Sequence, residues 1–281
     1  MSEIDLVWLV DADPPSDIGG SRGFYPASAR TDPPDESLMQ KRFAAIRAVV
    51  LGEAGGLAVL TIHTSPRFRT TFFQEPYAGI ARDMAAEGVT LALHPHEDRA
   101  DGGSLYDDPA HLALVVVQGM AAARHAGLPL SVFRSGGFAF HPCLPPLLAA
   151  HGLHLDLSAA PGLADVPRHA VWTEAAWQQH HVLGDRAAAV KSVPIGWDGA
   201  GTSMDRNYLY NEKHDLAGLC RIWDALRADA QHPRAVNFLT HGFGLVEERF
   251  RRQAADFLRY ARAHGARLVS ARALSPTASP A

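Results

Sequence analysis

Only two cysteines occur in the 281 residues, Cys143 and Cys220, and they form neither a CxxC pair nor a zinc-knuckle spacing. A disulfide scaffold and a cysteine-built metal site are therefore not expected. No run of about 18 apolar residues exists, so no membrane-spanning helix is expected. Met1 to Val10 carries Glu3 and Asp5 where a secretion signal would carry basic residues, and its apolar run is short. The default expectation is a cytoplasmic location. An excess of positive charge is lacking too: 26 Lys and Arg against 30 Asp and Glu leave a formal charge of −4 and a pI near 6.4. That balance gives no electrostatic reason to expect nucleic acid as a partner. A solenoid-type internal repeat is also missing.

What is present is an ample core and a regular rhythm. Hydrophobic residues make up 47 % of the chain, enough for a full-sized interior. The length suits one α/β domain. Strand-length apolar runs fall at Leu6–Val10, Leu57–Ile62, Thr90–Leu93, Leu130–Phe133, Leu153–Leu157, Val190–Val193, Val236–Thr240 and Arg267–Ser270. Helical patterns separate them at Ser37–Gly52, Tyr77–Glu87, His111–His125, Leu144–His151, Asp215–Ala230 and Glu247–His264. Gly88, Gly127, Gly152 and Gly265 stand where helices stop. This alternation predicts an α/β fold of about seven parallel strands with helical crossovers, a single unit through Leu274. A small polar tail, frayed, runs from Ser275 to Ala281. The segment Ala159–Gly201 breaks the rhythm and carries Trp172 and Trp177, with Trp197 nearby, as expected of an insertion over an active face.

The polar residues at the strand ends are the informative ones. Asp11 and Asp13, His94 and His96, Arg134 and His241 all sit at or just beyond the C-terminal ends of predicted strands. In parallel α/β architectures those ends meet on one face, where catalytic groups collect. Residues two apart in extended backbone point the same way, so each pair can serve one centre. Paired carboxylates can hold a metal with one member and take a proton with the other. Two imidazoles at this spacing can reach one ion, and zinc takes neutral imidazole and carboxylate ligands. Glu97 and Asp98 follow directly and can orient a ligand or replace one. His63 also ends a strand and reads as substrate-facing or structural. His125, His151 and His264 lie near helix-ending glycines, where a charged ring favours the helix dipole. His180 and His181 read as solvated. Arg134 leaves an apolar strand for a glycine turn and needs a carboxylate partner, Asp11 or Asp13.

Taken together, these segments resemble the polysaccharide-deacetylase superfamily. The resemblance rests on Leu9-Val10-Asp11-Ala12-Asp13, Leu93-His94-Pro95-His96, Phe133-Arg134-Ser135-Gly136, Gly152 to Asp156-Leu157-Ser158, and Leu239-Thr240-His241, in the family's order. It implies a distorted (β/α) barrel and a metal-dependent hydrolase acting on amide-linked acyl groups. It further implies Asp11 as general base, Asp13 as metal ligand with His94 and His96, and Arg134 as the holder of the base. Asp156 would tune His241, the general acid. The implied cofactor is one divalent ion, zinc first, with cobalt, nickel or iron as other occupants. The implied substrate is a small N-acylated amino sugar, an oligosaccharide or a sugar conjugate. A non-sugar amidase or deformylase and an inactive carbohydrate-binding relative are the alternatives. The family's histidines are usually four apart, so Asp98 competes with His96 for the third ligand place, and the roles of Asp11 and Asp13 can exchange.

Overall fold

The structure is a computed structural model that describes residues 3–12, 36–66, 68–97, 104–173, 182–183, 190–201, 206–229 and 234–274. Asp13, Asp98, Trp177, His180, His181 and the tail from Ser275 lie outside the described residues.

Strand β1 (Ile4–Asp11) is apolar along almost its whole length, as a strand covered on both faces must be. Helix α1 (Glu36–Ala54) leads to β2 (Ala58–Thr64), and α2 (Tyr77–Ala86) to β3 (Thr90–Pro95). Helix α3 (Pro109–His125) then leads to β4 (Leu130–Phe133), and α4 (Leu144–Ala150) to β5 (Leu155–Asp156). A short antiparallel hairpin, β6 (Ala164–Asp165) and β7 (Ala170–Val171), precedes β8 (Val182–Leu183) and β9 (Val190–Ser192). Helix α5 (Leu216–Ala228), β10 (Ala235–His241), α6 (Gly242–Leu245), α7 (Glu248–Ala263) and β11 (Ala266–Leu268) complete the fold. The main sheet runs β10-β1-β2-β3-β4-β5-β9-β8. The first seven of these are parallel neighbours wherever they pair, and β8 closes the edge antiparallel to β9.

Local chemistry sets the helix ends. Asp108 accepts hydrogen bonds from the Ala110 and His111 backbone at 2.9 and 3.0 Å, and Pro109 takes the first helical position, where its missing N–H costs nothing. That cap starts α3 two residues before the periodicity does. Asp215 caps α5 through Gly218 N–H at 2.7 Å. Gly127, with φ +66°, turns the chain out of α3 in a conformation that a side chain resists.

Side chains divide into two apolar layers. Leu6, Trp8, Val10, Leu60, Ile62, Leu91, Leu93, Phe133 and Phe238 pack outward against the helices. Val7, Leu9, Val59, Ala92, Val132, Leu155, Leu157 and Leu239 fill the interior of the curled sheet. Between β9 and β10 the sheet is spanned by irregular chain. Asn237 donates its backbone N–H to Pro194 and accepts from Gly196, while Leu239 exchanges bonds with Leu209 and Asn211. The Asn237 side chain adds bonds from Nδ2 to the Val193 carbonyl (2.9 Å) and the Leu157 carbonyl (3.4 Å). The result is the distorted (β/α) barrel implied by the sequence. No helix among the described residues is long and apolar enough to cross a membrane.

Candidate active site

Strand alternation carries the interior face past the apolar layer and onto polar residues at the strand ends. Leu9 is followed two positions on by Asp11, Ala92 by His94 and then His96, Val132 by Arg134, and Leu239 by His241. Val59 leads by the same step of two to Thr61, whose hydroxyl accepts the Ala12 N–H at 3.0 Å, and then to His63. Register reinforces the arrangement: Asp11 pairs with His241 across β1 and β10, and His63 with His94 across β2 and β3. Asp11, His63, His94 and Arg134 are all at most 2 % exposed, which is unusual for charged or ionisable groups and requires partners.

Asp11 is the hub. Its Oδ2 lies 3.5 Å from Arg134 Nη2 and 3.9 Å from His94 Nε2. Its Oδ1 is buried and makes no hydrogen bond among the described residues. His94 Nδ1 is 2.7 Å from the Arg134 carbonyl. A carbonyl only accepts, so Nδ1 carries the proton and Nε2 is the nitrogen turned toward Asp11. This is the arrangement that orients a ligating imidazole. His96 closes the group: its ring centroid is 5.0 Å from that of His94, and His63 stacks on it at 5.4 Å. Gly136 makes room for the His96 ring, since a Cβ there would come within 2.5 Å of it.

Imidazole nitrogens gathered beside a buried carboxylate oxygen in need of a partner fit a borderline cation in donor type. Among the described residues no three His, Cys, Asp or Glu side chains form a ready ion cage. The third member of the expected set, Asp13, lies outside them.

Arg134 is held on several sides. Its guanidinium carbon stands 4.2 Å from the centre of the Phe138 ring, and Nη1 donates to the Ser135 carbonyl at 2.5 Å. Phe138 has φ +61°, a left-handed conformation that costs a bulky residue about 1–2 kcal/mol. Trp172 fixes it there by donating Nε1–H to the Phe138 carbonyl at 2.7 Å.

Asp156 does not join this interior set. Leu155 and Leu157 face inward, so Asp156 between them faces the other way, and Oδ1 accepts the Ser158 N–H at 2.9 Å together with the Ser158 hydroxyl. Burial pushes its carboxyl up to about 6, against the lowering effect of Ser158 and of the nearby Arg134 charge. The carboxylate that reaches His241 is Glu212. Its Oε2 is 3.5 Å from His241 Nδ1, and its Oε1 accepts the His241 backbone N–H at 2.9 Å. Tyr210 and Phe243 flank the His241 ring at 5.2 and 5.1 Å. Sequence reasoning missed Glu212 because it lies in the irregular stretch before α5, which the Tyr210–Leu239 bridge lays beside β10. The available signal was a lone Glu following Tyr208-Leu-Tyr210-Asn211, which is too weak to single out.

One other expectation needs correction. Glu97 is not placed to orient or replace a ligand: its buried carboxylate makes two bonds to Arg69, at 2.6 and 2.8 Å, and one to His111 Nε2 at 2.7 Å. In the segment that interrupts the strand–helix rhythm, Trp172 and Trp197 are 9 % and 3 % exposed, so both pack into the interior.

No protein-family model matches the chain, and no curated protein matches it in sequence. Solved structures do match in shape. A protein assigned as a polysaccharide deacetylase from Mycobacterium smegmatis superposes with a TM-score of 0.59 at 14 % identity, over all of this chain and 95 % of that one. A family 4 carbohydrate esterase from Streptomyces lividans, solved with acetate, gives a TM-score of 0.42 at 11 % identity, over 94 % of this chain and 90 % of that one. At 14 % identity the first of these likenesses bears on the fold alone, and it agrees with the distorted (β/α) barrel described above.

Proposed function

We propose that the protein is a metal-dependent hydrolase that removes an acetyl-type N-acyl group from an amino sugar or sugar conjugate. The observation that carries this reading is the buried triangle of Asp11, His94 and Arg134 at the strand ends of a deacetylase fold, with His241 on the neighbouring strand.

His94 and His96, with Asp13, would hold one divalent ion, zinc first and cobalt, nickel or iron as other occupants. When bound, such an ion polarises an acyl carbonyl and makes water more acidic. Asp11 accepts the proton of the attacking water as its oxygen bonds to the acyl carbon. Arg134 orients the Asp11 carboxylate for that transfer. The carbon–nitrogen bond then breaks with its electron pair on nitrogen, and His241 supplies the proton that lets the amine leave. Glu212 fixes the His241 ring and balances its charge as it gains and loses the proton. Burial of Trp172 and Trp197 also favours a second reading, in which the same chemistry serves a smaller, non-sugar N-acyl compound.

The test is elemental analysis of purified wild type and His94→Ala, with acetate release measured from N-acetylglucosamine oligomers and from small N-acetyl amides. About one equivalent of metal, lost in the variant, and acetate release in the wild type alone are expected. Metal in neither protein after soaking with divalent ions, together with no acetate release, would overturn the reading. The preferred substrate separates its two forms.

A further inference from the structure

The hydrogen-bond ladder between β4 and β5 ends with the Leu157 N–H donating to the Phe133 carbonyl at 2.9 Å. Arg134 is the first residue after β4, and its own N–H is taken by the Leu93 carbonyl of β3 at 3.0 Å. One residue further, Ser135 would have a buried backbone donor with no strand opposite it. Ser158 supplies the acceptor instead, with its Oγ 2.8 Å from the Ser135 nitrogen. A serine hydroxyl has a single hydrogen, and here it goes to Asp156 Oδ1, which leaves the Oγ lone pairs for Ser135. The Ser135 carbonyl in turn accepts from Arg134 Nη1 at 2.5 Å, and Arg134 Nη2 faces Asp11 Oδ2 at 3.5 Å. Asp156, Ser158, Ser135 and Arg134 are each at most 2 % exposed, so water does not compete for any link.

We propose that Asp156, Ser158 and the Ser135 peptide form a positioning relay that sets the Arg134 guanidinium against Asp11. Packing alone gives no reason for a carboxylate at 156, because burying one is costly and an apolar residue would fill the site more cheaply. The relay gives a reason: the carboxylate orients one hydroxyl, the hydroxyl holds one peptide, and that peptide's carbonyl fixes one arm of the guanidinium. Linked dipoles of this kind reinforce one another in a dry interior. Asp156 is a positioning residue here, acting through Ser158 on Arg134 and not on His241.

The inference rests on the proposed hydrolase for its kinetic readout, and the experiment separates the two. Ser158→Ala removes the middle link. The expected result is a fall in kcat of about tenfold or more at unchanged KM and metal content, because only the geometry of the base is loosened. Asp156→Asn keeps the Oδ1 acceptor and should recover most of the rate, whereas Asp156→Ala should not. Nitrogen-15 spectra of the Arg134 side chain give a readout independent of turnover. A resolved, slowly rotating guanidinium in the wild type should become averaged in Ser158→Ala and in Asp156→Ala. An unchanged guanidinium spectrum in both variants would overturn the relay, whether or not the wild type releases acetate. If Ser158→Ala does not fold, the two Asp156 variants decide, and equal spectra and rates for them would also overturn it. Acetate release absent in the wild type, with a guanidinium that still loosens in the variants, would remove the hydrolase reading and leave the relay standing.

Discussion

His241 illustrates how one residue depends on another that lies far away in the chain. Its ring is clasped between Tyr210 and Phe243, and Glu212 touches both its backbone and its Nδ1 side. A proton donor needs an anion close by to steady its charged form and to fix the nitrogen that faces the substrate. Glu212→Gln keeps the size and the backbone bond while removing the charge. Acetate-release kinetics should show kcat down by about 10- to 100-fold with metal content unchanged. Wild-type kcat in that variant would remove Glu212 from the mechanism. The residues legible in the sequence were those whose placement follows from strand alternation: Asp11, His94, His96, Arg134 and His241. Glu212 was not legible because no periodicity governs its segment. Glu97 misled for a related reason, since adjacency to His96 says nothing about Arg69 and His111, which draw its carboxylate away.

At the level of elements, the strands and main helices were readable because their apolar patterns are long and their caps chemically distinct. The hairpin β6–β7 was not, because two-residue strands are too short for any alternation to register. Its neighbours show why it matters: Phe140 N–H donates to the His169 carbonyl, and Ser104 binds the Pro167 and Arg168 carbonyls, so the hairpin fastens the turn after β4 and the chain before α3. The turn after β4 is the tighter constraint on the site. At Gly136 an added Cβ would collide with the Cγ, Cδ2 and Nδ1 atoms of His96. Gly136→Ala should therefore push His96 off its position and weaken zinc affinity at least about tenfold while the melting temperature moves little, as titration with a competing chelator would show. Undiminished affinity would mean that His96 is not a ligand.

The molecule as a whole depends on a seam that regular secondary structure does not close. Asn237 stands in the middle of a strand that is otherwise apolar until Thr240 and His241 at its end, and it bridges to Val193 and Leu157 where β9 and β10 fail to meet along their length. Asn237→Ala leaves those two buried carbonyls short of a donor. Urea denaturation should show a loss of about 2–3 kcal/mol in stability. A loss below about 0.5 kcal/mol would mean that the backbone bonds alone hold the seam.

Strand β1 is flanked by β2 along Trp8–Val10, by β11 along Ile4–Leu6, and by β10 from Asp5 to Asp11. The bond from the Trp8 indole to the Thr240 hydroxyl joins residues 232 apart in sequence. During synthesis β1 emerges long before β10, so one entire edge of it waits for that partner. At synthesis rates of about 5–20 residues per second, a largely apolar strand stays unmatched on that edge for some ten seconds or more. Long-range pairing of this kind slows folding, because the loop must close before its contacts reward it. Asp11 and His241 are partners across this same pair of strands, so the candidate site comes together in the step that completes the fold.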